Sequence, residues 1–508
     1  MIANRWMHVG IRAAAVAGAV FVSNLSLDDA SASGGRLARG CEEGEPSAVF
    51  RPQKPSLLGR EETEGGQLGE SVAISSNGMT ALVGADEMNS AHGAAWAFGR
   101  RGSKWHQLGK QIIGAGELGG YPQFGYSVAL SADGTTALIG APFDDYGKGA
   151  VWVFTRSGSS WHQQAKLVAT GETGTNPNFG ARVALSADGD TALLGAPYDA
   201  AYPAGAAWVF TRTRGTWTEQ AKLDPAMGEL TYPGVFGESV ALSSDGNTAL
   251  VGAPYAENYL GAAWIFERDG STWSQRRKLT GTGEQGEERF GVGVALSGAG
   301  DTALIAGDTE RETSGAGWIF TRVGGVWSQE GSKFVPGNGG PLGPAVALSS
   351  DGQFAFARTS SEGVTRFAPS NDVWTERESL KATIEGDFGF SIALSSQDNA
   401  LVVGSPLASG VGAATVYAAS PPQISGIAPH NGPQTGGNMV TLSGSGFQEV
   451  TAVRFGPVAA NYRVNCSTSI TAEAPPGSGS VHITVVTEAG GTSAVSRAGT
   501  YRFKRPRN

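Results

Sequence analysis

The chain has 508 residues, of which 16% are charged, and a formal net charge of −9 at neutral pH. This length allows two or three domains, and with no basic stripe along the chain we do not expect nucleic acid as a partner. The 76 glycines are about twice the usual share, but they fall at fixed positions rather than in tracts, so they indicate turns and not disorder.

The N-terminus, residues 1–32, has the pattern of a signal peptide for export. Arg5 and Arg12 give a positive start, Ala13 to Val22 an apolar core, and Ala30-Ser31-Ala32 a small-residue cleavage site. The apolar run is short for a membrane span, so we expect cleavage and a secreted or cell-surface protein. The alternative is an uncleaved signal anchor, and contact with a membrane is expected only in that case.

Residues 33–47 are expected to form a flexible linker, which contains the first of two cysteines, Cys41 and Cys466. An exported chain can form a disulfide, but because these cysteines lie in a linker and a distant domain, the sequence favours leaving them unpaired. We expect Cys466 to be a buried, small hydrophobic residue.

Between residues 48 and 419 a unit of about 50 residues returns seven times. Its clearest form reads Phe-Gly-x-x-Val-Ala-Leu-Ser-x-Asp-Gly-x-Thr-Ala-Leu-x-Gly-Ala-Pro. The units start at Leu68, Phe124, Phe179, Phe236, Phe290, Leu342 and Phe388. A repeat of this length, built from short strands and turns, predicts a closed ring of small sheets, a seven-bladed β-propeller.

The second unit shows how four strands arise. A hairpin turn at Asp133-Gly134 separates the first two strands, because Gly accepts positive φ and Asp bonds backbone N–H groups ahead of it. Pro142 ends the second strand, since proline has no N–H for a ladder. The predicted strands are Ser127 to Ser131, Thr136 to Gly140, Gly149 to Phe154 and Trp161 to Leu167.

Residue size also follows the strand order within each unit. The first two strands carry Ala, Gly, Val and Leu, which suit a crowded centre, and the last two carry large rings, which suit the wider outer gap. Eleven tryptophans recur at two positions of the unit, in the third strand and at the start of the fourth, and we interpret them as core rather than as stacking platforms for sugars: Trp96, Trp105, Trp152, Trp161, Trp208, Trp217, Trp264, Trp273, Trp318, Trp327 and Trp374.

The ends of the repeat predict how the ring closes. The seventh unit stops after three strands, at Gly412 to Tyr417, whereas Phe50 precedes the first unit start by the same interval as Trp161 precedes Phe179. We therefore expect a strand near residues 48–58 to complete the last blade and remove the open edges.

The paired motifs resemble FG-GAP repeats. Phe124-Gly125 is followed by Gly140-Ala141-Pro142, and the same pairs return in the third and fourth units. The resemblance implies the seven-bladed propeller of integrin α-subunits and of many exported bacterial proteins. Some integrin repeats carry a calcium loop, but here Ala129, Ser131 and Ala137 stand at ligand positions around Asp133. Calcium needs six to eight oxygens, so we expect no calcium and interpret Asp133, Asp188, Asp245, Asp351 and Asp398 as turn formers.

The remaining chain, residues 421–503, resembles an IPT/TIG domain, with a basic tail at 504–508. The resemblance rests on Ile424 to Pro429, Gly432-Pro433, Gly436-Gly437 and Val440 to Phe447. It implies an immunoglobulin-like β-sandwich, which in exported proteins acts as a spacer or a binding unit.

A search for catalytic motifs finds no His-Glu-x-x-His, Gly-x-Ser-x-Gly or phosphate-binding Gly-x-x-x-x-Gly-Lys. We therefore assign no catalytic, cofactor or metal residues. The loops after Gly-Ala-Pro vary between units and combine aromatic with acidic residues, and we expect them on one face of the ring. The candidate ligand residues are Asp86, Glu87, Asp144, Asp145, Tyr146, Tyr198, Asp199, Tyr255, Glu257 and Asn258.

These observations favour an exported, non-enzymatic binding or adhesion protein whose loop residues contact an extracellular protein or glycan. One alternative is an extracellular enzyme that cleaves polysaccharides or esters with loop carboxylates as acid and base. Another is a passive component of the cell envelope, and solvated loops without any ligand are the simplest interpretation of the loop composition.

Overall fold

The computed structural model describes residues 50–505 apart from short gaps. The gaps are 61–64, 103, 173, 175, 200–203, 227, 231–233, 284–287, 309–314, 338–341, 361–362, 371–372, 398, 448–449 and 488–490. The signal peptide, the linker, Cys41, Asp398 and the end of the basic tail therefore lie outside the described residues. Within the described residues, no helix is long and apolar enough to cross a membrane.

Seven four-stranded antiparallel sheets follow one another along the described chain, which confirms the predicted propeller. Blade 1 contains Ser71–Ile74, Thr80–Ala85, Ala94–Arg101 and Lys104–Gln107; blade 2 Ser127–Leu130, Thr136–Ala141, Ala150–Ser157 and Ser160–Leu167; blade 3 Arg182–Leu185, Thr191–Ala196, Ala206–Thr213 and Thr216–Leu223; blade 4 Ser239–Leu242, Thr248–Ala253, Ala262–Asp269 and Thr272–Leu279. Blade 5 contains Gly293–Leu296, Thr302–Asp308, Gly315–Val323 and Val326–Phe334; blade 6 Val346–Leu348, Ala355–Ser360, Gly363–Ser370 and Val373–Lys381. Blade 7 combines Ile392–Leu394, Ala400–Ser405 and Ala413–Ala419 with the N-terminal Phe50–Pro52.

Short helices interrupt the loops at Met88–Ala91, Asp144–Gly147 and Ala256–Tyr259, with 3₁₀ turns at Ala408–Gly410 and Arg497–Gly499.

The first strands of successive blades are neighbours around a ring, and Ser71–Ile74 of blade 1 meets Ile392–Leu394 of blade 7. Phe50–Pro52 pairs with Ala413–Ala419, so the first described strand completes the last blade. Backbone hydrogen bonds of 2.8 to 3.0 Å also link the inner turns of successive blades. The donor and acceptor pairs are Ser76 to Ala132, Ala132 to Ala187, Ala187 to Ser244, Ser244 to Gly298, Gly298 to Ser350, and Gln397 to Ser76.

The inner hairpin turn is held by its serine. Ser131 Oγ accepts a hydrogen bond from the Thr136 N–H at 2.9 Å and donates to Asp133 Oδ1 at 2.6 Å. Gly134 has a φ of 70°, which favours glycine. Serines at the same position in the other units make the equivalent bond: Ser75, Ser186, Ser243, Ser297, Ser349 and Ser395. The Asp side chains at Asp133, Asp188, Asp245 and Asp351 all accept from this serine, and therefore act as turn formers.

The tryptophans of the third strands are buried between blades. Trp152 is fully buried, and its ring makes an edge-to-face contact with the ring of Phe124, with centroids 5.5 Å apart and planes inclined at 73°. The same pair recurs as Phe179–Trp208, Phe236–Trp264 and Phe290–Trp318. Several fourth-strand tryptophans are only half-buried, since Trp161, Trp217 and Trp273 lie toward the outside beneath an arginine.

Blade 6 departs from this pattern. Thr365 pairs with Ser379, where blade 2 pairs Trp152 with Lys166. The threonine hydroxyl lies 2.8 Å from Thr359 Oγ1 and 3.1 Å from Ser379 Oγ, and a polar cavity of about 530 Å³ opens beside them. The smaller side chains therefore leave space that a tryptophan fills in blades 1 to 5.

The C-terminal domain has two sheets around one apolar core. One sheet contains Gln423–Ala428, Met439–Ser445, Ser469–Glu473 and Tyr462–Cys466; the other contains Asn431–Pro433, Thr500–Lys504, Ser480–Thr487, Val450–Phe455 and Val458–Ala460, with Gly491–Thr492 added beside Ser480–Thr487. Val440, Leu442, Phe455 and Tyr501 from both sheets form part of the shared core.

Cys466 corrects one expectation from the sequence. It lies at the end of a strand that turns sharply into Ser469–Glu473, and it is half-buried rather than buried. Cys466 is also disulfide-bonded, whereas the sequence favoured an unpaired cysteine.

Candidate ligand-binding face

One edge of the ring gathers two sets of loops. Ser127 at the start of an inner strand pairs with Gly140 near the end of the second strand, so both lie at the same edge of blade 2. The loop that enters each unit reaches this edge too, because Phe124 forms a bridge with Gly93. We call this edge the loop face, and turns such as Asp133-Gly134 lie at the opposite edge.

Several acidic residues of the loop face are ion-paired with lysines. Asp144 is 1% exposed, and its Oδ1 accepts from the Leu118 N–H at 2.6 Å. Its Oδ2 accepts from Lys166 Nζ at 2.6 Å, while the same Nζ lies 4.6 Å from the centre of the Trp152 ring. This acid–Lys–Trp bracket joins the loop to the third and fourth strands of the blade.

The acid–Lys–Trp bracket recurs in three further blades. The acid–lysine distances are 2.5 Å for Asp199–Lys222, 2.7 Å for Glu257–Lys278 and 2.5 Å for Glu288–Lys333, with the lysines 4.8, 5.2 and 5.6 Å from the rings of Trp208, Trp264 and Trp318. Three of the candidate carboxylates, Asp144, Asp199 and Glu257, are therefore engaged in fixing the loops.

Other candidate residues lie closer to solvent. Tyr198 is 48% exposed, and burial, followed by Glu238, raises the pKa of its hydroxyl to about 12. Tyr255 is half-buried with its ring edge against Tyr259, 5.5 Å between centroids. Asn258 is exposed on a left-handed backbone with a φ of 57°.

Aromatic residues of blade 2 form an open groove on the loop face. Tyr146, Tyr121 and Phe143 are 79%, 66% and 40% exposed, and they border a space of about 500 Å³. Gly120, Gln123 and Gly147 complete the lining. Asp145, beside Tyr146, accepts from Lys148 Nζ at 2.7 Å. We call this space the aromatic groove.

A second cavity, of about 620 Å³, opens at the ring axis, and we call it the mouth. Its wall includes Glu70, Tyr126 and Arg182, which occupy the two variable positions after a Phe-Gly or Leu-Gly pair. Arg182 donates to Glu238 at 2.9 Å, and its guanidinium lies 5.6 Å from the Tyr126 ring. The corresponding residues of blades 5 to 7 are apolar: Val292, Pro344 and Phe390.

The comparisons with known proteins agree with this architecture. A model of the FG-GAP repeat matches residues 110–154 and 161–210, and a model of the IPT/TIG domain matches residues 422–503. The chain carries FG-GAP repeats and a C-terminal IPT/TIG domain. No curated protein matches it in sequence. A solved structure from Bacteroides uniformis, provisionally described as a 6-phosphogluconolactonase, is similar over 62% of this chain and 85% of its own, at 14% identity and a TM-score of 0.45. That likeness carries no argument about activity.

The FG-GAP turns do not fit a calcium ion. The Asp133 carboxylate accepts from Ser131 Oγ and from both the N–H and the hydroxyl of Thr135. Against the effect of burial, these hydrogen bonds lower the pKa of Asp133. Across the part of the chain that the structure describes, no group of three or more His, Cys, Asp or Glu residues could hold a metal ion.

Asp86 and Glu87 of the FG-GAP propeller differ from the bracketed acids. Asp86 is 4% exposed, and its Oδ1 has no hydrogen-bond partner among the described residues. Burial and then the charge of Glu87 raise the pKa of Asp86 to about 7. Burial and then Asp86 also raise the pKa of Glu70 well above its ordinary value. Glu87 itself accepts from Gln123 Nε2 at 3.0 Å.

The mouth is the feature that the motif search missed. In four other blades, a serine occupies the position of Arg182, and its hydroxyl donates to a backbone carbonyl of the neighbouring unit at 2.7 to 2.8 Å. The acceptor is the glycine of that unit's Phe-Gly or Leu-Gly pair. Those serines are Ser71, Ser127, Ser239 and Ser391. The signal was present in the sequence, because an arginine that replaces a repeated serine breaks the pattern of the repeat.

Proposed function

We propose that the protein is an exported, non-enzymatic binding protein that presents the loop face to an extracellular protein or glycan. The observation that carries the proposal is the contrast within blade 2. The acid–Lys–Trp bracket of Asp144 fixes the loop, while Tyr121, Phe143 and Tyr146 stand exposed on it. Exposed aromatic rings on a fixed loop are typical of binding surfaces, because little side-chain freedom is lost when a ligand docks.

Export is supported by two independent features. The N-terminal residues have the composition of a signal peptide. Cys466 is disulfide-bonded, which suits an oxidising compartment outside the cytosol. Both features fit a secreted or cell-surface protein with a role in adhesion.

The ion pairs that the loop carboxylates form with lysines support binding rather than catalysis. A glycosidase of the common kind needs one carboxyl group as a proton donor and a second as a base or nucleophile. Asp144, Asp199 and Glu257 are instead ion-paired with lysines at 2.5 to 2.7 Å. A carboxylate that is ion-paired with a lysine and fixes its own loop is not free to turn toward a substrate.

The proposal is tested with residues 33–508 on an array of glycans and extracellular proteins, with and without a chelator. The same preparation is incubated with polysaccharides and ester substrates. We expect reversible, chelator-independent binding and no product. Turnover that a single loop substitution abolishes would refute the proposal, and so would failure to bind any glycan or protein.

A second candidate function, cleavage of a polysaccharide or ester, is favoured by Glu70 and Asp86 near the mouth. Asp86 is buried with an unpartnered Oδ1 among the described residues, and Glu70 lines a cavity of about 620 Å³. A carboxyl group that stays protonated near neutral pH is suited to act as a general acid. Hydrolysis that disappears in Glu70→Gln and persists in Asp145→Asn would support this function over simple binding.

A further inference from the structure

Tyr146 differs from the residues at the equivalent position of two other loops. Three blades carry the same four-residue helical turn, at Met88–Ala91, Asp144–Gly147 and Ala256–Tyr259. The third residue of each turn is left-handed, with φ values of 62° for Ser90, 59° for Tyr146 and 57° for Asn258. Asn tolerates this conformation through local hydrogen bonds and Ser is at least small, whereas a bulky residue is strained there.

Tyr146 is also presented to solvent, since 79% of the residue is exposed. A large exposed ring at a position where the equivalent turns carry Ser or Asn indicates a role in contacting a ligand. The loop around it is fixed, because the Asp145 N–H donates to the Leu118 carbonyl at 2.7 Å and Asp144 is bracketed by Lys166. The strained ring is therefore held in place before any ligand arrives.

The aromatic groove brings together rings from two different loops. Tyr121 comes from the loop that enters blade 2, and Phe143 and Tyr146 come from the loop after the second strand. Phe143 is itself positioned by an edge contact with Tyr126, 6.4 Å between centroids. Because Tyr126 lines the mouth, this contact places the aromatic groove next to the mouth. It also holds the ring of Phe143 in place.

The chemistry of the lining selects the ligand class. All six lining residues are uncharged, and one of them, Gln123, carries an amide group whose Nε2 donates to Glu87 at 3.0 Å. The chain as a whole is acidic, at −9, so an anionic ligand is disfavoured. A ligand with flat apolar faces for the rings and hydroxyls for the amide of Gln123 matches this lining.

We infer that the aromatic groove binds a neutral carbohydrate through Tyr121, Phe143 and Tyr146. The inference rests on the proposed function, and it names the ligand class of that same face. Sugar rings stack by their C–H faces on the aromatic side chains, and their hydroxyls reach the amide of Gln123. An apolar peptide side chain would fill the groove without using this amide.

The test uses residues 33–508 and an array of neutral oligosaccharides, followed by titration calorimetry with the best binder. Tyr146→Asn installs the residue found at the equivalent position in blade 4, so it should fold at least as stably as the original chain. We expect it to weaken binding tenfold or more. Tyr121→Ala, a second variant that leaves the left-handed position intact, should weaken binding as well. Val323→Ala, which removes an exposed apolar side chain from an outer hairpin, is the matched control and should bind normally.

The outcomes separate this inference from the proposed function. Binding of neutral oligosaccharides that Tyr146→Asn and Tyr121→Ala both leave unchanged would overturn the groove. Binding only to proteins or to charged glycans would overturn the carbohydrate class and keep the proposed function. Failure to bind any member of the glycan and protein arrays would overturn both.

Discussion

Replacing Asp86 with Asn should stabilise the protein above neutral pH and change its stability little in acid. Asp86 is 4% exposed, and its Oδ1 has no hydrogen-bond partner among the described residues. Burial, followed by the neighbouring Glu87, raises its pKa from 3.8 to about 7. Ionisation of Asp86 therefore lowers the free energy of unfolding.

The sign of the pH dependence follows from proton binding. Between the two pKa values of Asp86, the folded chain holds a proton that the unfolded chain has released, so the free energy of unfolding falls as pH rises. The full loss is reached above about pH 7 and amounts to roughly 4 kcal/mol at most, at about 1.4 kcal/mol per pKa unit. Glu70, whose pKa is also raised, acts in the same direction. Asn does not ionise, so we expect Asp86→Asn to gain about 2 to 4 kcal/mol near pH 8 and close to nothing near pH 4.

The assay is urea denaturation followed by tryptophan fluorescence at a series of pH values. Asp133→Asn is the matched control, because hydrogen bonds from Ser131 and Thr135 lower the pKa of Asp133, so this variant should lose stability at neutral pH. The reasoning is refuted if Asp86→Asn is destabilised near pH 8, or if its gain is the same in acid as in base.

Three further predictions concern the fold. Lys222→Met removes the cation from the buried Asp199 and should cost about 3 kcal/mol. Lys148→Met, at an exposed pair with Asp145, should leave the stability almost unchanged. Equal urea midpoints for the two variants would contradict the role of the brackets. Gly149 has a φ of 85°, and an added Cβ would lie 2.1 Å from the Phe179 carbonyl, so Gly149→Ala should cost more than about 3 kcal/mol or abolish soluble expression. Excess chelator should leave the melting temperature unchanged, and a clear fall would reveal a bound cation.

The repeat made much of the fold predictable, because it aligns the chain with itself. Phe124 and Trp152 recur in successive units at nearly the same spacing, and the structure pairs their rings in the core. Asp133 recurs after a fixed serine and bonds to it. A residue that serves every blade must be repeated in every unit, so repetition itself indicates a structural role.

The candidate site was less predictable, because ring closure assembles it from distant units. Glu70, Arg182 and Phe390 come from blades 1, 3 and 7, and they share one cavity only because the ring closes. The lysine brackets were accessible in principle, since Lys166 follows Trp161 at the offset at which Lys222 follows Trp217. Loop composition indicates carboxylates without showing that a lysine from another strand holds them.

The side-chain state of Cys466 was not predictable either. A small apolar residue on a short strand is ordinarily buried, but this cysteine stands at a sharp turn where the strand ends. Hydrophobic patterning does not encode the tightness of such a turn.

The central claim is that ligands bind the loop face, and site-directed tethering tests it most directly. Single cysteines introduced as Tyr198→Cys on the loop face and Val323→Cys on an outer hairpin, both at exposed positions, allow the protein to be biotinylated and immobilised in two orientations. Glycan and protein ligands found with the free chain are then passed over both surfaces. We predict strong binding to the protein held through Val323→Cys and little or none to the protein held through Tyr198→Cys. Equal binding in both orientations would contradict the claim.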